Sequence, residues 1–170
     1  MDKFTLLSIA LLHELAGQDT ALPDDAHAHI HLVNLARERL PAHLGGGSID
    51  FRSGDMLAPE LGCFDHVVAM DSVIHYRTED AVAALSRLAL RTSGSMVFTF
   101  APRTPLLATM IAVGRLFPRK DRAPWIEPVA EATLHRLLAT DPELQDWQRG
   151  RTERIASGFY TSQALELLRK

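Results

Sequence analysis

Between residues 65 and 101 the chain reads as an apolar run, an amphipathic stretch and a second apolar run, joined by short links. Residues 65–70 (DHVVAM) hold too little polar alternation for a strand with one wet face, so they predict a buried strand. In the stretch that follows, Thr78 reads as an N-cap, Glu79 and Asp80 suit the positive end of a helix, and Arg87 and Arg91 suit its negative end. Val82, Leu85, Leu88 and Ala89 make the buried stripe, and Gly94 reads as the stop. Residues 95–101 (SMVFTFA) then predict a second, fully buried strand. Strand, helix and strand with short links require a parallel pair and a right-handed crossover, which commits the chain to an α/β sheet.

The first of these strands runs straight into Asp71, Ser72, His75 and Tyr76, four side chains capable of chemistry. In open α/β sheets, ligands bind in the crevice outside the carboxyl ends of the strands. The cluster therefore predicts a site at that edge.

The flanking segments are less decisive. Residues 1–17 (MDKFTLLSIALLHELAG) have an apolar core, but Asp2 and Lys3 precede it, Glu14 follows, and no small-residue cleavage site is evident. That pattern predicts a helix capped by Gly17 rather than a signal peptide. Residues 18–25 are loop-like, with Pro23. Leu32, Leu35, Ala36 and Leu40 fall near one helical face, which Pro41 and the glycines 45, 46 and 47 stop. Residues 48–52 (SIDFR) alternate as a strand does, and residues 53–56 (SGDM) read as a turn.

Beyond Ala101, Thr104 and Pro105 suit the start of a helix through Phe117 whose apolar residues cover more than half its circumference. Such a helix needs a partner surface or a ligand. With the basic loop at residues 119–122, Trp125, and a helix around residues 129–140, it makes an insertion over about residues 104–142 that reads as a lid. Strand character returns at residues 154–160.

Several function classes are excluded or weakened. A net charge of −3 with no long basic run speaks against nucleic acid. Cys63 is the single cysteine, so no intrachain disulfide can form and a reducing, cytoplasmic setting fits; the residue itself reads as a small, half-buried one before a strand. No stretch approaches the ~20 apolar residues needed to span a bilayer. His27, His29 and His31 would share one face of a strand, but no second ligand cluster at metal spacing accompanies them, so no metal site is assigned.

Five segments in order, at residues 37–41 (RERLP), 49–57 (IDFRSGDML), 64–76 (FDHVVAMDSVIHY), 95–107 (SMVFTFAPRTPLL) and 156–167 (ASGFYTSQALEL), resemble the magnesium-protoporphyrin IX methyltransferases of the bacteriochlorophyll pathway. The likeness runs from about residue 32 to residue 170, leaving residues 1–31 as a divergent helix and linker before the methyltransferase domain. It implies a Rossmann-like class I methyltransferase sheet, S-adenosyl-L-methionine as the methyl donor, and esterification of a propionate of magnesium-protoporphyrin IX. By position, the resemblance makes Asp55 the acceptor for the adenine amino group, with Met56 against the ring. It makes Met70, Asp71 and Ser72 the lining of the donor's methionine side, and puts His75 and Tyr76 at the catalytic, substrate-facing edge. The implied partners are the porphyrin, the porphyrin-binding subunit of magnesium chelatase, and a peripheral contact with photosynthetic membranes. One departure stands out: the family's glycine-rich GxGxG loop, whose bare backbone lets the donor approach, is missing, and with it the first βα unit. The family's acidic ribose ligand falls on His27.

A propionate, with a pKa of about 4 to 5, is already ionised at neutral pH, so the reaction needs positioning and desolvation more than a base. His75 is accordingly assigned first to holding the attacking carboxylate or the porphyrin magnesium, and second to acid–base work. Asp71 stabilises a cationic donor or caps its own turn, and Tyr76 faces a macrocycle or packs in the core; the residues leave both pairs of readings open. Three rivals remain: a methyltransferase of another small molecule, a non-catalytic tetrapyrrole-binding protein or inactive truncated homologue, and, remotely, a metal hydrolase built on HAHIH.

Overall fold

The computed structural model describes residues 4–6, 34–35, 37–39, 49–52, 54–104, 126–157 and 160–170. The chain divides into two compact units, one made of Met1–Ile9 with Pro59–Lys170 and the other of Ala10–Ala58.

The larger unit holds a five-stranded sheet. Its strands are β1 (Phe4–Leu6), β2 (Phe64–Ala69), β3 (Thr92–Phe100), β4 (Trp147–Ser157) and β5 (Tyr160–Arg169), and among the described residues its α-helices are α1 (Thr78–Ala89) and α2 (Glu131–Thr140). The spatial order is β1-β2-β3-β5-β4. β1, β2 and β3 are parallel, whereas β5 runs antiparallel between β3 and β4. The parallel β2–α1–β3 unit is the one the sequence required. Val82, Leu85, Leu88 and Ala89 are all buried, and α1 packs on β3 and α2. The helix begins one residue earlier than an N-cap at Thr78 implied, with Arg77 at the N-cap and no side-chain cap.

Gly94 does not stop α1, which ends at Ala89; it lies inside β3. Its bare Cα is needed there, because a Cβ would stand 2.6 Å from the Asp65 carbonyl oxygen. β3 also differs from a fully buried strand. Met96, Phe98 and Phe100 bury one face completely, while Ser95 and Val97 on the other are only partly covered.

Three further expectations change. Phe4–Leu6, expected as the first turn of a helix, is a strand paired in parallel with His66, Val67 and Val68. The physical reason is the edge of β2, whose backbone donors and acceptors need a ladder partner that an isolated helix cannot supply. The rest of that expected helix lies outside the described residues. The final strands are longer than residues 154–160 suggested, because β4 and β5 form one antiparallel hairpin from Trp147 to Arg169. Cys63 is exposed rather than half-buried.

α2 packs beside α1, with Leu134 and Leu138 buried, and connects β3 to β4. It thus joins two strands that run in the same direction, as a crossover helix does. Of the insertion expected over about residues 104–142, residues 105–125 lie outside the described residues.

In the unit Ala10–Ala58, residues 34, 35, 37 and 38 are helical and the Arg39 N–H donates to the Leu35 carbonyl at 3.1 Å, in line with the expected helix. Residues 49–52, expected as a strand, are not one. Alternation makes a strand only where a neighbour takes the backbone groups, and here the Arg37 guanidinium takes the Phe51 carbonyl at 2.9 Å. Ile49 is half exposed.

Candidate functional site

β2 leaves the sheet after Ala69, whose partner on β3 is Phe98. Met70 is 53% exposed, although both its strand and its sequence context are apolar. The next residue, Asp71, has φ +50°, a left-handed conformation that aspartate tolerates better than most residues. Its N–H donates to Thr99 Oγ1 at 2.7 Å, and the Thr99 hydroxyl donates back to Asp71 Oδ1 at 3.2 Å. Ser72, buried, donates from its hydroxyl to the Met70 carbonyl at 3.1 Å. Val73 and Ile74 then dive into the core and anchor the turn, which the Tyr76 N–H closes on the Val73 carbonyl at 3.1 Å. His75 and Tyr76 emerge half-buried.

The same edge receives the chain on its return from residues 105–125. The Glu127 N–H donates to the Ile74 carbonyl at 2.9 Å, the Val129 N–H to the Ala101 carbonyl at 2.8 Å, and the Arg103 N–H to the Val129 carbonyl at 2.8 Å. Both roots of the insertion are therefore laced to the carboxyl ends of β2 and β3.

The structure thus brings Met70, Asp71, Ser72, His75 and Tyr76 into one turn at a strand's carboxyl end, and adds Thr99, which the sequence reading missed. Its signal was slight, a single hydroxyl inside an apolar run. Asp55 and Met56 belong to the unit Ala10–Ala58. Asp55 Oδ1 accepts the Leu57 N–H at 2.7 Å and the Asp55 carbonyl accepts the Ala58 N–H at 3.0 Å, so the carboxylate serves its own turn first. Oδ2 keeps acceptor capacity. Met56 is buried.

A depression of about 380 Å³ lies at the other, amino-terminal end of the strands, lined by Cys63, Phe64, Asp65, Arg91 and Arg169 among others. Its cations face protein. Arg91 sits 5.2 Å over the Phe64 ring, and Arg169 sits 5.9 Å over Trp147 while donating to the Thr92 carbonyl at 3.0 Å. Such contacts stabilise packing, and this end lacks the polar turn that marks the carboxyl edge. Among the described residues no group of three His, Cys, Asp or Glu side chains is arranged to hold a metal; HAHIH lies outside them.

Comparison with known proteins bears on this edge. A family model for the C-terminus of magnesium-protoporphyrin IX methyltransferase matches residues 69–169, a span that begins at the last residue of β2. The chain is 43% identical over 135 residues to the magnesium-protoporphyrin O-methyltransferase of Rhodobacter capsulatus, covering 79% of this chain and 57% of that one. To the enzyme of the same name from Synechocystis it is 32% identical over 113 residues, covering 66% and 47%. Among solved structures it is similar to magnesium protoporphyrin IX methyltransferase (ChlM) from Synechocystis PCC 6803 with bound SAH, at TM-score 0.63 and 30% identity, covering 81% of this chain and 59% of that one. The mitomycin 7-O-methyltransferase MmcR, at TM-score 0.51 and 15% identity over 86% of this chain and 39% of its own, shares the fold alone. The chain spans about half the length of the curated relatives it matches.

Proposed function

The chain belongs to the magnesium-protoporphyrin IX methyltransferase family, and from that premise we propose that it takes part in S-adenosylmethionine-dependent O-methylation, forming the methyl ester of a propionate of magnesium-protoporphyrin IX. The observation that carries the reading is the turn after β2. Family kinship covers it, and an aspartate in left-handed conformation with its carboxylate fixed is the kind of local strain that functional turns retain.

Within the larger unit, Asp71 supplies a fixed negative charge for a cationic sulfonium compound and exposed Met70 supplies an apolar surface. Taken by itself, the turn at Asp55 in the unit Ala10–Ala58 has a second carboxylate oxygen, a chemistry that suits an adenine's amino group, and Met56 has an apolar side chain that suits the ring. When bound, the donor supplies an electrophilic methyl carbon. This chain's part is to hold the propionate oxygen in line with that carbon and to strip water from it, an effect worth about 7 to 11 kcal/mol of barrier where alignment is complete. His75 holds the carboxylate, with Tyr76 beside it at the substrate edge.

A second reading has its own observation. The sequence contains no GxGxG loop, so a non-catalytic tetrapyrrole-binding role is the alternative. Finer partners follow from the substrate's chemistry. A poorly soluble porphyrin favours hand-over from the porphyrin-binding subunit of the chelatase and contact with a membrane surface, from a cytoplasmic position. No helix among the described residues is long and apolar enough to cross a membrane.

Calorimetry with S-adenosylmethionine, followed by mass spectrometry of the porphyrin, tests the proposal. Donor binding and a methyl ester are expected. His75→Ala should then slow methyl transfer at saturating donor by about tenfold or more. No donor binding at millimolar concentration overturns the enzyme reading, and a shifted porphyrin spectrum without ester selects the carrier.

A further inference from the structure

We propose that Thr99 is a positioning residue for the methyl donor, acting through Asp71; the inference rests on the reading of the turn after β2 as part of the donor site. β2 and β3 stop pairing at Ala69 and Phe98, so Thr99 is the first β3 residue beyond the ladder. Its hydroxyl stands where the next rung would be and closes on Asp71 twice, accepting the N–H at 2.7 Å and donating to Oδ1 at 3.2 Å. A hydroxyl has one hydrogen and two lone pairs, so both bonds form at once. Thr99 is 7% exposed, and its β-branch restricts rotation, which leaves the hydroxyl few other orientations.

Two consequences follow. First, the clasp defines both ends of the Asp71 residue, backbone and carboxylate, at a position whose φ of +50° would otherwise relax toward the ordinary region. Second, it orients the carboxylate without neutralising it. An arginine or lysine in place of Thr99 would do the first but cancel the charge. Among the described residues Asp71 makes no ion pair. Oδ2 retains its acceptor sites. A fixed anion held by a neutral donor suits a cationic ligand, whereas a cap serving only the turn has no need of the charge.

The test titrates the full chain, Thr99→Val, Thr99→Ser and Asp71→Asn with S-adenosylmethionine by calorimetry. Thr99→Val keeps the β-branch and loses the hydroxyl, and about tenfold weaker binding is expected. Thr99→Ser should recover affinity to within about twofold of the parent. Asp71→Asn keeps an acceptor oxygen and tolerance of the left-handed backbone while losing the charge, so it weakens binding even if Thr99→Val fails to fold. In an Asp71→Asn background, Thr99→Ser and the parent Thr99 should bind alike, and added Thr99→Val should cost much less than it does alone. Equal affinity of the parent and Thr99→Val, or of the parent and Asp71→Asn, overturns the inference while leaving the donor site standing. A parent that takes up no donor overturns the donor-site reading itself.

Discussion

At the scale of single residues, the difference between a turn-former and a functional group lies in contacts that sequence spacing does not encode. Asp71 was legible as polar chemistry at a strand end, but its left-handed φ and its clasp depend on Thr99, 28 residues away. Asp55, carried by resemblance, proves to cap its own turn through Oδ1. Gly94 makes the same point in reverse. Read alone it is a helix stop, yet its role is to let β3 approach β2, since any Cβ would meet the Asp65 carbonyl at 2.6 Å and the His66 ring at 2.9 Å. A carbonyl belonging to a paired strand cannot rotate away as a side chain would. Gly94→Ala should therefore destabilise the protein by about 1 to 3 kcal/mol, the ordinary cost of overpacking, read as a lower urea midpoint with unchanged slope. An unchanged midpoint would mean that the strands slide apart at no cost.

At the scale of elements, legibility followed the apolar pattern. α1 was readable because its stripe repeats with helical period and every member is buried. The β4–β5 hairpin was not, because residues 148–156 of β4 are almost all exposed and its shape comes from pairing with β5. Charged side chains and a register shift between Arg149 and Thr152 are what an edge strand uses to discourage further pairing. Gly150 sits in that irregular stretch, where a Cβ would strike the Glu166 carboxylate. α1 holds one flaw: the Ser86 hydroxyl is buried without a hydrogen-bond partner. Ser86→Ala removes an unsatisfied group and improves helix propensity, so it should stabilise by about 1 kcal/mol and raise the melting temperature.

The hairpin and α2 also set a pH dependence. The Arg151 backbone N–H, at 3.0 Å, and its guanidinium hold the Glu166 carboxyl below its ordinary 4.5, against an opposing effect of burial. Burial and then the charge of Arg149 hold His135 below 6.5, with Glu131 opposing. In both cases the unfolded state binds the proton first as pH falls. The His135 contribution is therefore complete above 6.5 and lost as pH drops through its folded value, and the Glu166 contribution is complete above 4.5 and lost at lower pH. Urea midpoints between about pH 7.5 and 3.5 should decline over both windows. His135→Gln should flatten the upper one and Glu166→Gln the lower; a profile identical to the parent's would refute the assignment.

For the whole molecule, the parallel core and its reactive edge were readable, and the way the sheet is completed was not. A short apolar stretch such as FTLL satisfies a helix or a strand equally well by its own pattern. What decides is the neighbour. β2 has β3 on one side, so its other side presents a row of backbone donors and acceptors, and Phe4–Leu6 fills it in parallel register. That arrangement joins the first residues of the chain to the strand whose end bears Asp71, so the amino terminus bears on the stability of the candidate site although it contributes no candidate residue to it. Deleting residues 1–6 should expose the β2 edge, lower the thermal midpoint, and promote association that grows with protein concentration, since an open edge templates pairing with another copy. Scanning calorimetry and light scattering over a concentration series would measure both effects. The Asp71 to Thr99 clasp lies between β2 and β3, away from that edge, so donor affinity measured at low concentration should fall less than stability does. Loss of donor binding without loss of stability would mean instead that the first residues touch the ligand, and that the strand is part of the site rather than its support.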